Sequence, residues 1–321
     1  MKFRTEIQIA PFDVRIGYGN RLLALGSCFA EHIAGRLSAA RFRIATNPTG
    51  ILFNPLSIAE ALGNYAARVP VRRDELHTDG EVWFHYGFHG DFSALTPDEA
   101  LRRMNAARQA GADVLSAADR VLVTFGTAWA FERQGAVVAN CHKQPAVEFR
   151  RRRLGVGEIV DTFAALLAGP LADKQIILSV SPVRHLGDGL EGNALSKAVL
   201  RLAAEELAET HANIHYFPAF EIVNDDLRDY RFYADDLVHP SPQAVAYIWE
   251  KFADALLSDE TRAVLGEVEA IVAAAAHRPR NPLSEAHRVF CRRQLERIAA
   301  LRGIDFVAET AYFRRCLEIN S

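Results

Sequence analysis

Leu22-Leu23-Ala24-Leu25-Gly26-Ser27-Cys28-Phe29-Ala30 sets a short apolar run directly before a serine and the start of a helical repeat. Leu22 to Leu25 has the length and apolarity of an interior strand. Phe29, Ile33 and Leu37 recur every fourth residue, the buried stripe of a helix. A serine at such a junction lies beside helix N-terminal amides that lack partners within the helix, and these can stabilise developing negative charge. Serine is also a preferred cap residue. On local sequence alone Ser27 is first a helix cap and second a nucleophile.

Outward from this junction the same alternation repeats. Phe42 to Thr46 reads as a second strand running into the turn Asn47-Pro48-Thr49-Gly50. Residues 70–95 mix His, Trp, Phe and Gly without a helical period and read as an inserted segment covering a cleft. Thr96-Pro97-Asp98-Glu99 carries a cap residue, a first-turn proline and first-turn acids, a helix start. Arg120 to Phe125 and Gln175 to Val180 are buried strands, with a helix near 157–169 between them. A helix over 193–210, a strand over 213–218 and a helix from Pro242 to Leu257 follow. Strands separated by helices predict a mostly parallel sheet covered on both faces, with sites at the strands' carboxyl ends. Ser27, Thr127, Ser181 with Arg184, and the segment after Phe217 all fall there.

The 321 residues are 50% hydrophobic and 24% charged, with a net charge of −3, ordinary for a soluble globular chain and no case for nucleic acid. The first residues lack the apolar core of a signal peptide, and no apolar run is long enough to cross a bilayer. Cys28, Cys141, Cys291 and Cys316 are widely spaced and form no metal-type pair, so reduced thiols in a cytoplasmic protein are the simplest account. His85 and His89, with Cys141 and His142, have no convincing ligand spacing either, and no metal or cofactor is expected. Arg150-Arg151-Arg152-Arg153 reads as a solvated basic face. Trp83, Phe84, Tyr86 and Phe88 read as a core or cleft wall, or a platform for a sugar ring. The last sixty residues look helical over Leu265–Ala276 and Ser284–Leu301 and carry no evident chemistry. The chain thus divides into residues 1–258, with 70–95 as the insert, and a helical extension over 259–321 that could cap the site or serve as an oligomer contact.

A serine hydroxyl is a weak nucleophile until a base takes its proton, and the base usually needs a carboxylate to orient it. Asp235-Asp236-Leu237-Val238-His239-Pro240-Ser241 supplies both: Asp236 and His239 are close enough in a loop for the carboxylate to meet the imidazole. Ser241 and Pro242 then open the next helix. With these residues and the pentapeptide at 26–30, the chain resembles the GSCFA family, within the SGNH (GDSL-like) hydrolases. The likeness extends to Asn47-Pro48-Thr49-Gly50-Ile51-Leu52-Phe53-Asn54-Pro55, Gly126-Thr127-Ala128-Trp129 and Asn140-Cys141-His142-Lys143. It continues through Ser181-Pro182-Val183-Arg184-His185, Asn193-Ala194-Leu195-Ser196-Lys197 and Asp229-Tyr230-Arg231-Phe232-Tyr233 to His239-Pro240-Ser241.

The resemblance implies a three-layer α/β/α, flavodoxin-like hydrolase with Ser27 as nucleophile, His239 as general base and Asp236 holding its ring. Gly50 matches the glycine whose amide helps bind the oxyanion in SGNH enzymes, and the Ser27 or Cys28 amide would be a further donor. Ala128 stands where those enzymes carry an oxyanion-binding asparagine. Thr127, Asn140 and His142 are the candidates to replace it. Arg184 could face an anionic or polyhydroxyl substrate, or pair with the acids at 225–229. The Cys28 side chain reads as a small buried residue opening a core helix. The leading expectation is a serine-dependent esterase or deacylase acting on a small-molecule or glycan ester through an acyl-enzyme. An O-acyltransferase with the same triad is the alternative, and a non-catalytic binding protein of the same fold the second.

Overall fold

The computed structural model describes residues 4–318. Each apolar run read above becomes a strand, in chain order β1 (Arg21–Gly26), α1 (Cys28–Ala39), β2 (Arg43–Thr46) and α2 (Pro55–Ala66). A short antiparallel pair, β3 (His77–Thr78) and β4 (Trp83–Phe84), precedes α3 (Pro97–Ala117) and β5 (Arg120–Phe125). Three further strands follow, β6 (Trp129–Arg133), β7 (Ala136–Val138) and β8 (Arg150–Arg153). The alternation resumes with α4 (Val156–Leu167), β9 (Gln175–Val180), α5 (Gly189–Thr210), β10 (Ile214–Tyr216), the single turn α6 (Ala219–Glu221) and α7 (Pro242–Leu256). Helices α8 (Asp259–Ala276), α9 (Glu285–Ala300) and α10 (Val307–Glu318) end the chain.

Five strands pair in parallel in the order β10-β9-β5-β1-β2. Successive side chains of a strand point to opposite faces, and both faces of this sheet are apolar. Leu23 and Leu25 of β1 pack with Val121, Val123, Phe125, Ile176 and Leu178 against Ile58 and Leu62 of α2, Phe163 of α4 and Leu200 of α5. Leu22 and Ala24 face the other way, with Leu122 and Ile177, onto Phe29, Ile33 and Leu37 of α1 and Ile248, Trp249 and Phe252 of α7. The result is a three-layer α/β/α fold with a helical region appended. The strand order reverses between β1 and β5, and at such a switch point a crevice opens beyond the strand ends.

Two caps read from sequence are made: Thr96 Oγ1 accepts from the Glu99 N–H at 3.3 Å and Ser241 Oγ from the Ala244 N–H at 3.2 Å. Ser27 occupies the cap position of α1, but its side chain makes no capping bond. Residues 70–95 rest on α3 through a small core of their own, in which Val71, Leu76 and Phe88 meet Ala100 and Met104. Strands β7-β6-β8 form a separate antiparallel sheet between β5 and α4. The arginine run is β8 of that sheet. Arg150, Arg151 and Arg153 are exposed, whereas Arg152 is bonded to Glu132 and, at 2.7 Å, to Glu158. Among the described residues, no helix is long and apolar enough to cross a membrane.

Candidate active site

At the end of β1 the backbone turns sharply into α1. Gly26 has φ +135, and a Cβ there would lie 2.1 Å from the Thr124 carbonyl oxygen, so the turn requires glycine. Asn47 fixes it from the next loop: its Oδ1 accepts the Gly26 N–H at 2.9 Å and its Nδ2 donates to Glu31 Oε1 at 3.2 Å.

The turn sends its two candidate nucleophiles in different directions. Ser27 is 1% exposed, its Cβ packs toward Gly126, and its hydroxyl has no hydrogen-bond partner. Cys28, the first residue of α1, is half-buried and opens onto a cavity of about 1000 Å³ above the switch point. Phe53, Thr127, Trp129, Phe131, Arg184 and His239 are among the residues that line it.

His239 reaches this cavity from the loop before α7. Asp236 Oδ2 accepts from His239 Nδ1 at 2.7 Å, while Asp236 Oδ1 accepts the Val238 and His239 backbone N–H groups at 2.9 and 3.0 Å. These bonds hold the Asp236 carboxyl down to about 2. Leu237 makes the tight turn possible by taking φ 58, and the Ala234 N–H to His239 carbonyl bond, 2.7 Å, closes the loop. With Nδ1 committed to the carboxylate, Nε2 faces outward. It lies 3.5 Å from the Cys28 sulfur. The expected hydrogen bond from Ser27 to His239 is not made, and the thiol, read from sequence as a core side chain, occupies that place.

The thiol's surroundings pull in opposite directions. Burial, then Glu31, raises its pKa, whereas the Phe29 and Cys28 backbone N–H groups and the Lys197 ammonium lower it, with a net upward shift. Lys197 gave no catalytic signal by residue type or spacing in the sequence. It comes from the buried face of α5 and donates to the carbonyls of Gly126 at 2.6 Å and Ser181 at 2.7 Å. Burial brings its pKa down to about 7. A lysine three residues before Leu200 on that helix's apolar stripe was the available signal of burial. His185 follows Arg184 out of the end of β9, where the sequence places both facing the cleft. Its ring lines the cavity edge-on to Phe53, 5.8 Å between centroids, and burial lowers it to about 4.

The remaining candidates separate. Gly50 donates its N–H to the Asn47 carbonyl at 2.8 Å, closing its own turn, and its lack of a Cβ lets His89 pack against it. That amide is therefore not a free oxyanion donor. His142 is tied to the His85 carbonyl at 3.0 Å, stacks on Phe84 and lies away from the cavity lining. Thr127 lines the cavity, its hydroxyl 3.1 Å from Ser196 Oγ and accepting the Trp129 N–H. Asn140 also lines it, holding the His142 N–H through Oδ1 at 2.8 Å, which leaves its Nδ2 hydrogens for other acceptors. Ala128 is fully buried with its N–H on Ser196 Oγ at 2.7 Å. Arg184 faces the cavity with its guanidinium 4.0 Å from the Tyr233 ring centroid and 4.9 Å from that of Tyr230, a cation–π stack rather than a pairing with the acids at 225–229.

The model of the GSCFA family matches residues 21–252, from the first residue of β1 into α7 and through every residue of this site. The chain belongs to the GSCFA family. The model of the GSCFA domain protein, C-terminal domain, matches residues 268–319. No curated protein matches this GSCFA chain. Among solved structures it is similar to one from Streptococcus pneumonia provisionally described as a platelet activating factor, at 13% identity and a TM-score of 0.38, covering 73% of this chain and 83% of that one.

Proposed function

We propose that this GSCFA protein is a hydrolase of acyl esters working through a covalent acyl-enzyme on Cys28, with His239 as general base and Asp236 as the group that orients it. The observation that carries the reading is the contact chain Asp236 Oδ2 to His239 Nδ1, 2.7 Å, and His239 Nε2 to Cys28 Sγ, 3.5 Å. A thiol at a helix N-terminus beside a histidine is the arrangement that generates a thiolate nucleophile. The same geometry would suit an SGNH-type enzyme in which sulfur replaces the serine oxygen.

In the first half-reaction His239 takes the Cys28 proton. Sulfur attacks the ester carbonyl carbon, and the carbon–oxygen bond to the alcohol breaks as His239 returns the proton to the leaving oxygen. Water then adds to the thioester, giving its proton to His239, and the carboxylic acid leaves as the thiol is restored. The tetrahedral oxyanion needs preorganised donors. Asn140 Nδ2 and Thr127 Oγ1, both on the cavity wall, are assigned that part in place of the asparagine that Ala128 replaces. Because the cavity is at the large end for small-molecule sites, it has room for an acceptor hydroxyl. Transfer of the acyl group to such an acceptor is the second reading.

The test is turnover of a nitrophenyl acetate with mass spectrometry of the trapped acyl-protein. Cys28→Ala should abolish both the burst and the adduct, while Ser27→Ala retains them on a hydroxylamine-sensitive thioester. An adduct that survives Cys28→Ala and disappears in Ser27→Ala would return the nucleophile to serine. Product formation on added sugar acceptors, faster than hydrolysis, would establish transfer.

A further inference from the structure

The C-terminal helices carry a cluster that the reaction above does not use. His287 and Cys291 lie one turn apart on α9, on the face that meets α10, and Cys316 comes from α10. Their ligand atoms all lie within 4.8 Å of one another. His287 Nε2 is 3.5 Å from Cys291 Sγ. Tetrahedral zinc, with bonds of about 2.05 Å to nitrogen and 2.3 Å to sulfur, has a nitrogen–sulfur edge of roughly 3.6 Å. The pair already stands at that edge length without rearrangement.

We propose that His287, Cys291 and Cys316 form a binding site for a soft divalent cation, zinc by ligand type, that joins α9 to α10. Two sulfurs and an imidazole select zinc over oxygen-seeking ions such as magnesium or calcium. Neither Cys291 nor Cys316 is in a disulfide, so both sulfurs can serve as ligands. Both sulfurs would bind the dication as thiolates. Cys291 is fully buried, whereas His287 and Cys316 are half-buried. The fourth position therefore opens toward solvent, where water can complete the tetrahedron. Tyr312, one turn before Cys316, donates its hydroxyl to the His277 carbonyl at 3.5 Å and, beside the Cys316 sulfur, could turn to steady a thiolate there.

The site has a structural use. The core of these helices rests on five buried side chains, Val268, Ile271, Cys291, Phe306 and Phe313, among the described residues. An apolar cluster that small gains most from a cross-link. Sequence spacing hid the site because the third ligand sits on another helix.

The full-length protein, reduced and stripped with chelator, is titrated with cobalt(II) and then zinc. The expected result is one tetrahedral cobalt spectrum with thiolate charge transfer, displaced by zinc, together with a melting temperature that rises with zinc concentration. His287→Gln and Cys316→Ala should each lose the charge-transfer band or weaken cobalt binding at least tenfold, while Cys141→Ser leaves both unchanged. These two half-buried positions keep the test decisive even where Cys291→Ser fails to fold. Cobalt binding without thiolate charge transfer, a spectrum indifferent to these substitutions, or a Cys291–Cys316 disulfide in protein purified without reductant would overturn the proposal.

Discussion

Ser27 and Cys28 are neighbours in sequence with different fates, and the difference is one of backbone direction. Ser27 ends the extended turn at φ −67 and ψ 171, which carries its hydroxyl into the protein, where it bonds to nothing. A buried hydroxyl without a partner costs stability. Ser27→Ala is therefore expected to leave the urea midpoint unchanged or raise stability by about 1 kcal/mol, and a loss of more than that would reveal a bond the hydroxyl makes in solution. Asp236→Asn should retain the loop while removing the charge behind His239, lowering kcat by roughly 10⁴-fold, the scale of losing a triad carboxylate. The pH dependence has a definite sign. The Asp236 carboxyl is depressed in the folded chain, so its contribution is present above about 3.9, the unfolded value, and lost only as pH falls through about 2. Lowering pH from 7 to 4 should thus leave the Asp236 charge in place, which the carboxylate carbon shift in NMR will report. Asp236 and His239 were legible in the sequence because three residues of loop bring them together whatever the fold. The choice between Ser27 and Cys28 was not, since it turns on where one residue's side chain points.

Strand β1, the turn at Gly26 and helix α1 act as one element, with Gly26 its weak point. Gly26→Ala sets a Cβ against the Thr124 backbone and forces alanine to φ +135. The β1–β5 pairing must then shift, and the expected loss is about 3 kcal/mol or more; a variant that melts within a degree of the parent would refute the requirement. Where the ends of β5 and β9 meet α5, Lys197 gives a second prediction. The unfolded lysine keeps its proton to about 10.4, whereas the buried one releases it near 7. Between those values the unfolded chain binds more protons, so stability rises with pH, and below 7 the burial cost is fully present. The rise measured between pH 7 and about 7.8, before unfolded thiols titrate near 8.5, should flatten in Lys197→Met. That slope is the readout, because the substitution also strands the Gly126 and Ser181 carbonyls. At this scale the sheet was the most legible part of the protein. Each central strand carries three or more consecutive apolar residues with both faces buried, a pattern the charged strands of the small sheet cannot show. Strands β6 and β8 carry Glu132, Arg133 and four consecutive arginines, and α10 is a short helix with a thin apolar stripe. Nothing in their local composition distinguishes them from loop.

At the scale of the whole molecule, the question is what holds the last three helices to the α/β body. Tyr18 stacks on Phe42, 4.6 Å between centroids, and packs against the cores of both parts. Beside it the Arg41 guanidinium is bonded to Glu309 of α10, a carboxylate whose side chain is 3% exposed against 29% for the arginine. The asymmetry in burial fixes an asymmetry in outcome. Arg41→Ala leaves a carboxylate with neither water nor a cation, which costs about 3–5 kcal/mol. Arg41 already sits at φ 66, a strain alanine shares, so backbone terms cancel in the comparison. Glu309→Ala leaves an arginine that can turn toward solvent and should cost less. The double variant Arg41→Met with Glu309→Leu should recover most of the loss, since apolar side chains of similar volume often replace a buried pair without penalty. In Arg41→Ala the stranded carboxyl takes up a proton more readily folded than unfolded, so its stability deficit should be smaller at pH 4 than at pH 7. Urea unfolding of the four proteins at both pH values compares these costs. Equal costs for the two single alanine variants, or a deficit independent of pH, would refute this asymmetry.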